Sequence, residues 1–342
     1  MSSDRKGRVL AKRYQLVEVA GEGGMATVWR ALTLGAQGFQ RPVAIKRIRS
    51  VLSRDPLFIE MFVEEARVGS GLDHPNIVQI HDFGRDEDGE HFLVMEWVEG
   101  LDLRRWSRSH KIAGWHAPWH LVTAIAMESL RGLHAAHQRT TPEGAHAPAY
   151  HRDVTPGNVL LGINGAVKLA DFGLSRAMDR ARITQPQMLK GKLAYLAPEL
   201  IEDAMPSAQS DLFSLGAVLW EVLTGRSLFH GRNDVETLEK VAACHVPDLA
   251  ALRPDLPPEL SAAIHRSLAR EPGARFPAAQ DMARALAQLL KRVAEPTDAE
   301  PIGASVALAR HRLGVADDEP MDPETRRARN AALLAPPDDR DD

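Results

Sequence analysis

His151-Arg152-Asp153-Val154-Thr155-Pro156-Gly157-Asn158 and, a little further on, Asp171-Phe172-Gly173 decide how this chain is read. Asp153 can accept or steer the proton of an attacking hydroxyl, while Asn158 and Asp171 offer hard oxygen ligands to Mg²⁺. The separations carry as much as the letters. Asn158 follows Asp153 by 5 residues and Asp171 follows it by 18. Those gaps suit a loop, a short β-hairpin and a metal-binding turn, which could bring the three groups to one phosphate.

Working outward, 342 residues at 44% hydrophobic can bury a sizeable core in one large domain or two lobes. A formal net charge of −4 builds no field that would draw nucleic acid or an anionic membrane. With a single cysteine, Cys244, an internal disulfide framework is impossible, and a reducing cytoplasm is the expected setting. Cys244 follows Val241, Ala242 and Ala243 and is read as a packed small hydrophobe. No apolar run reaches the ~18–20 residues of a membrane span. The charged start, Met1 to Lys6, has no apolar stretch behind it and is not read as a secretory signal.

Residues 14–46 alternate apolar and polar, which predicts strands over Tyr14–Ala20, Ala26–Ala31 and Val43–Arg47. A helix follows, capped by Asp55 with Pro56 in its first turn, and Leu57, Phe58, Met61, Phe62, Ala66 and Val68 recur along it at helical spacing. Further strands are expected at Ile77–Ile80 and His91–Trp97. Beyond Gly100 the texture is helical: Ala117–Ala136, Ser210–Thr224, Pro258–Arg270 and Ala278–Val293. A β-rich part followed by an α-rich part implies an α+β, two-lobed architecture with a cleft between the lobes. Thr140–Ala149 is expected as a surface loop. From about residue 294 the composition shifts to Glu, Asp, Pro, Ala and Arg, which suggests a flexible tail. One helix is expected within that tail, from Asp322 to Leu334.

Between the first two strands lies Gly21-Glu22-Gly23-Gly24-Met25-Ala26-Thr27-Val28, directly after Ala20. Glycines let backbone close over triphosphate oxygens and point N–H groups at them. Alone, such a turn fits a simple hairpin equally well. Val43-Ala44-Ile45-Lys46 on a following strand sharpens the reading.

Taken together, residues 14–291 resemble the eukaryotic-like Ser/Thr protein kinases of bacteria, and all the main signature elements occur in order. The resemblance implies a small β-rich lobe (14–97) with one key helix and a larger helical lobe (98–293), leaving a short N-terminal extension (1–13) and the flexible, partly helical tail (294–342) outside it. It implies that Lys46 holds the α- and β-phosphates and that Glu65 pairs with Lys46, with Glu60 and Glu64 as rivals on the same helix. Ala20 to Val28 and Ala44 would enclose ATP. Met95, Glu96 and Val98 of Leu93–Gly100 would form the adenine-binding hinge, with Asp102 at the ribose and Leu160 as the floor. Asp211 would anchor the catalytic loop. Glu199, which ends Gly191–Glu199, would pair with Arg275. A second Asp82-Phe83-Gly84 precedes the catalytic loop and is read as turn chemistry at a strand end. Thr184 is the single hydroxyl side chain between Ser175 and Lys192, and Arg152 is the cation that a phosphate there would engage.

Two positions depart from the pattern. Most Ser/Thr kinases carry lysine two residues after the catalytic aspartate, where this chain has Thr155. Most also carry threonine where this chain has Lys192. Together these look like an exchange, with the ammonium arriving from the activation segment and the hydroxyl from the catalytic loop. Gly69, four residues after Glu65, is smaller than the family's usual residue and is expected to loosen the helix.

The expected function is therefore an ATP- and Mg²⁺-dependent kinase of protein Ser and Thr hydroxyls, with autophosphorylation or, through self-association, trans-phosphorylation at Thr184, and no nucleic-acid partner. Asp153–Asn158 lacks the Ala-Ala-Arg type of loop found in tyrosine kinases. Thr155 and Lys192 support the alternative, a pseudokinase that binds nucleotide and partners without transfer. A small-molecule phosphotransferase is disfavoured, because Gly191–Glu199 and Asp211 suit a platform for a polypeptide.

Overall fold

The computed structural model describes residues 4–141, 143–172, 191–202 and 204–315. Its first layer is an antiparallel sheet in the order β1-β2-β3-β4-β6-β5. The strands are β1 (Val9–Leu10), β2 (Tyr14–Glu22), β3 (Ala26–Leu34), β4 (Gln40–Ile48), β5 (Ile80–Arg85) and β6 (His91–Glu96). Alternation along β4 sends its side chains to two different cores. Val43 and Ile45 join Leu10, Tyr14, Leu16, Trp29, Phe92 and Val94 on one face. Ala44 joins Phe58, Met61, Phe62 and Leu93 on the other. Period two then sends Lys46 to the same side as Ala44.

Helix α1 (Pro56–Ser70) begins as expected: Asp55 Oδ1 accepts from Leu57 N at 2.9 Å and Pro56 fills the first position. Gly69 does not loosen this helix. A Cβ there would overlap the Ile80 side chain, so the missing side chain lets α1 seat closely on β5. The early Asp82-Phe83-Gly84 lies inside β5 rather than at a strand end. Asp82 Oδ2 accepts from the Tyr14 hydroxyl at 2.7 Å, and the Phe83 ring packs 5.9 Å from Phe62. Ile77, expected to open that strand, instead forms an isolated parallel bridge with Leu169.

Residues 4–13 belong to the small lobe's packing. Arg47, 1% exposed, pairs with Asp4 at 3.0 Å, Asp86 at 2.7 Å and Glu90 at 2.6 Å, and so ties the N-terminal segment to the back of the sheet.

The second layer contains α2 (Leu103–Ile112), α3 (Trp119–His137), α4 (Ala208–Thr224), α5 (Asp234–Ala243), α6 (Leu249–Leu252), α7 (Pro258–Ser267), α8 (Ala279–Leu290) and α9 (Ala299–Arg312). A small sheet of β7 (Gly100–Asp102), β8 (Val159–Gly162) and β9 (Val167–Leu169) lies against them. Helices α3 and α4 are apolar on most faces, as helices at the centre of a lobe must be. Ser207 and Ser210 close a capping box at the start of α4, and Gly225 ends it with φ +67°. Within the expected loop Thr140–Ala149, Thr140 bridges His146.

The expectation of a flexible tail from residue 294 is corrected over 299–312. Ile302, Val306 and Ala309 recur at helical spacing and are buried, which overrides the charged composition around them. The helix expected at 322–334 lies outside the described residues.

Candidate active site

Two adjoining cavities, of ≈ 260 and ≈ 230 Å³, open between the lobes and share Gly21, Val28, Gly157 and Asp171. The first runs beneath the Gly-rich turn to Lys46, Glu65 and Lys192. The second is bordered by Ala20, Ala44, Met95, Glu96, Val98, Asp102, Asn158 and Leu160. Between β2 and β3 the turn closes through Gly23 N donating to Ala26 O at 2.9 Å, and Thr27 pairs Glu22 across the hairpin. Ala26 keeps a negative φ, so the lost glycine costs nothing there. Glu22, Gly24 and Met25 line the cavity with it.

At the centre, Lys46 Nζ donates to Glu65 Oε1 at 2.6 Å and to Asp171 Oδ1 at 2.8 Å. Glu64, a rival from the sequence, turns outward to Arg67. Burial works against the Lys46 ammonium, but the Asp171 and Glu65 charges outweigh it and hold its pKa above the usual lysine value. For Asp171 burial is likewise outweighed, chiefly by Lys46, and its carboxyl is held below the usual range. Glu65 is the member left short of charge. Burial, with the Asp171 charge adding to it against Lys46, pushes it up to about 7. As pH falls through that value Glu65 gains a proton, and Lys46 keeps one anionic partner instead of two. We expect kcat/KM for ATP to decline on that acid limb, and Glu65→Gln to flatten it. A pH–rate profile from about 6 to about 9 on both proteins measures this.

The 151–158 loop is anchored from below. Asp211, fully buried in the first turn of α4, accepts from His151 N at 2.8 Å, Arg152 N at 2.7 Å and His137 Nε2 at 2.8 Å. These bonds hold Arg152 at φ +63°, and Asp171 sits at φ +64°, both strained conformations for residues with side chains. Asp153 is buried on this loop at 8% exposure. Asn158 Nδ2 donates to its main-chain oxygen at 2.8 Å and to Oδ2 at 2.9 Å. Lys192 Nζ approaches the same Oδ2 at 2.5 Å, so the ammonium on the far segment stands beside Asp153. Thr155 is buried on the loop. Below the cleft, Arg275 donates twice to Glu199 at 2.7 Å and caps the carbonyls of Ala269, Arg270 and Gln209. Thr184 lies outside the described residues.

The second cavity is also lined by Trp97 and Arg105, which no motif in the sequence marks. Arg105 was detectable: it lies one helical turn beyond Asp102, whose carboxylate caps α2 by accepting from Arg105 N at 2.8 Å. Trp97 gave no signal, because nothing local tells an exposed indole from one folded under a hinge.

A family model described as the protein kinase domain matches residues 14–291. Tyrosine-protein kinase MasK of Myxococcus xanthus is 38% identical over 294 residues, covering 85% of this chain and 45% of that protein. Serine/threonine-protein kinase PknA of Mycobacterium tuberculosis is 35% identical, covering 90% of this chain and 68% of that protein. The chain spans about half the length of the first curated relatives it matches. Among solved structures, the Mycobacterium tuberculosis PknI kinase domain is 27% identical with a TM-score of 0.61, covering 84% of this chain and 99% of that one. With the expected motifs gathered in one cleft and the family match running across both lobes, the chain belongs to the protein kinase domain family.

Proposed function

We propose that this chain is an ATP- and Mg²⁺-dependent kinase that transfers the γ-phosphate of ATP to Ser and Thr hydroxyls of proteins. The observation that carries the reading is the junction of Lys46 with both Glu65 and Asp171, beneath a Gly-rich turn in a cavity also bordered by Lys192, which bonds Asp153. Two lobes then hold one polyanion. The turn offers main-chain N–H groups, Lys46 offers a fixed cation, and Glu96 to Val98 offer main-chain groups to the base.

The donor set suits Mg²⁺. Asn158 spends its amide nitrogen on Asp153, which leaves its oxygen for a cation, and Asp171 supplies an anionic carboxylate. Among the described residues no group of three or more His, Cys, Asp or Glu builds a closed metal cage. An open site completed by phosphate oxygens is the usual magnesium arrangement. Bound there, Mg²⁺ would offset the charge of the β- and γ-phosphate oxygens. The substrate hydroxyl oxygen attacks the γ-phosphorus, the bond to the bridging oxygen breaks, and its electron pair leaves with ADP. Asp153 takes the hydroxyl proton. Lys192 supplies the second cation that the catalytic loop lacks at Thr155.

Thr184 is proposed as the regulatory phosphosite, phosphorylated between two copies and engaged by Arg152. Intact-mass and peptide mapping of active protein that found Thr184 always bare would remove this part. The cytoplasm, where ATP is made, is the proposed location. No helix among the described residues is long and apolar enough to cross a membrane.

A second reading, transfer to tyrosine, is favoured by the name of the Myxococcus relative. Incubation with radiolabelled ATP followed by phosphoamino-acid analysis tests all three readings. Label on phosphoserine and phosphothreonine is the expected result. Label on phosphotyrosine would replace it with the second reading, and no label beyond an Asp153→Asn control would leave the pseudokinase.

A further inference from the structure

Helix α9 lies beyond residues 14–291, the span matched by the kinase domain, yet it is seated against the segment that borders the nucleotide cavity. Two glycines allow the close fit. A Cβ at Gly303 would overlap the Ile163 carbonyl oxygen, and one at Gly165 would overlap that of Ala299. Ile302, Val306 and Ala309 are buried in the contact. Polar groups then reach the hinge itself. Trp106 Nε1 donates to Ser305 Oγ at 2.9 Å. Arg310 Nη1 donates to Glu99 Oε1, and Glu99 Oε2 accepts from Trp97 Nε1 at 2.7 Å. The main-chain oxygen of Glu99 accepts from Ile163 N at 2.8 Å. Trp97 lines the cavity beside Glu96 and Val98, and the Arg30 guanidinium from β3 lies 5.9 Å from its ring.

The chain of contacts runs from helix to hinge to nucleotide site. Arg310 is buried, its side chain 5% exposed, and its partner Glu99 is 30% exposed. Burial would raise the Glu99 carboxyl, but the bonds from Trp97 and Arg310 hold it below the usual range, so the pair is charged at neutral pH. A short connection between two lobes is free to move unless something braces it. Bracing it before the nucleotide arrives lowers the ordering cost of binding.

We propose that Arg310 is a positioning residue for the nucleotide: through Glu99 and Trp97 it fixes the 97–100 main chain at the spacing the base requires, with α9 as the brace. The proposal rests on the reading that this cleft takes ATP. Because Asp153, Lys46 and Lys192 are untouched, loss of the brace acts on nucleotide affinity and spares the chemical step.

The test uses the full chain, with MgATP affinity by calorimetry, KM and kcat by phosphate transfer, and unfolding temperature in parallel. Arg310→Ala is expected to raise Kd and KM for ATP about fivefold with kcat within about twofold, and Arg310→Lys to recover part of the loss. Gly303→Val, which lifts the helix while keeping every polar group, is expected to do the same. If Arg310→Ala does not fold, Arg310→Lys and Glu99→Gln, which removes the anion that Arg310 meets, decide on the same readout. Variants that lower the unfolding temperature but bind ATP as the parent does would overturn the proposal. A parent protein that binds no ATP would instead sink the reading of the cleft, and the positioning role with it.

Discussion

Asp153→Asn is expected to lower the rate of γ-phosphate transfer by at least about 10³-fold while leaving ATP affinity within about twofold. Asparagine has the same shape, and the loop that presents it is held by Asp211 through main-chain bonds that the substitution does not touch. What disappears is an oxygen that can take the hydroxyl proton. Acid–base groups at such positions contribute about 10²–10⁴-fold. The upper part of that range applies because Asp153 is also the anion that receives both Asn158 and Lys192. Single-turnover transfer of labelled phosphate to a protein acceptor measures it. A variant within tenfold of the parent would remove Asp153 from the chemistry.

Lys192→Met should cost about 10²-fold in kcat, the size of loss seen when one preorganised charge is removed from a transition state. The ammonium stands 2.5 Å from Asp153 Oδ2 and borders the cavity beneath the Gly-rich turn. It is near enough to favour the anionic forms of Glu65 and Asp171. The decisive variant is the exchange. Lys192→Thr combined with Thr155→Lys moves the cation from the segment to the loop, and it should recover at least about tenfold of the loss from Lys192→Met. Retention of kcat within threefold in Lys192→Met, or an active-state structure with this ammonium in solvent, would refute the exchange. If it holds, catalysis depends on segment order more directly than a loop lysine would allow, because the cation departs whenever the segment moves.

Much of the site was legible because short motifs encode main-chain geometry. Asp55-Pro56 announces a helix start, and the structure has it there. Lys46 could be assigned to the cleft because Val43-Ala44-Ile45-Lys46 resembles the family's strand, and alternation along β4 places it on the side of Ala44. The resemblance put Glu65 ahead of Glu60 and Glu64, and Lys46 bonds to it. The failures also have physical causes. Gly69 looked like a weakness in α1, since a missing side chain says nothing about what approaches it; Ile80 fills the space. Asp82-Phe83-Gly84 looked like a turn, but Phe83 gains more by packing on Phe62 inside a strand. Residues 299–312 looked like a solvated tail because they were read together with the Asp- and Glu-rich residues around them, although Ile302, Val306 and Ala309 share a buried face within them.

The sequence by itself determined the chemistry: which carboxylates, amide and ammonium groups are present, and in what order along the chain they can meet a phosphate. Spacing within a loop or along one helix face is a local property, and local backbone geometry is enough to interpret it. Tertiary structure alone decided which distant groups become neighbours, with Lys192 brought to Asp153 and Arg310 to Glu99. Those encounters depend on how two lobes and a terminal helix pack, and packing sums many weak contacts that no single stretch of sequence contains.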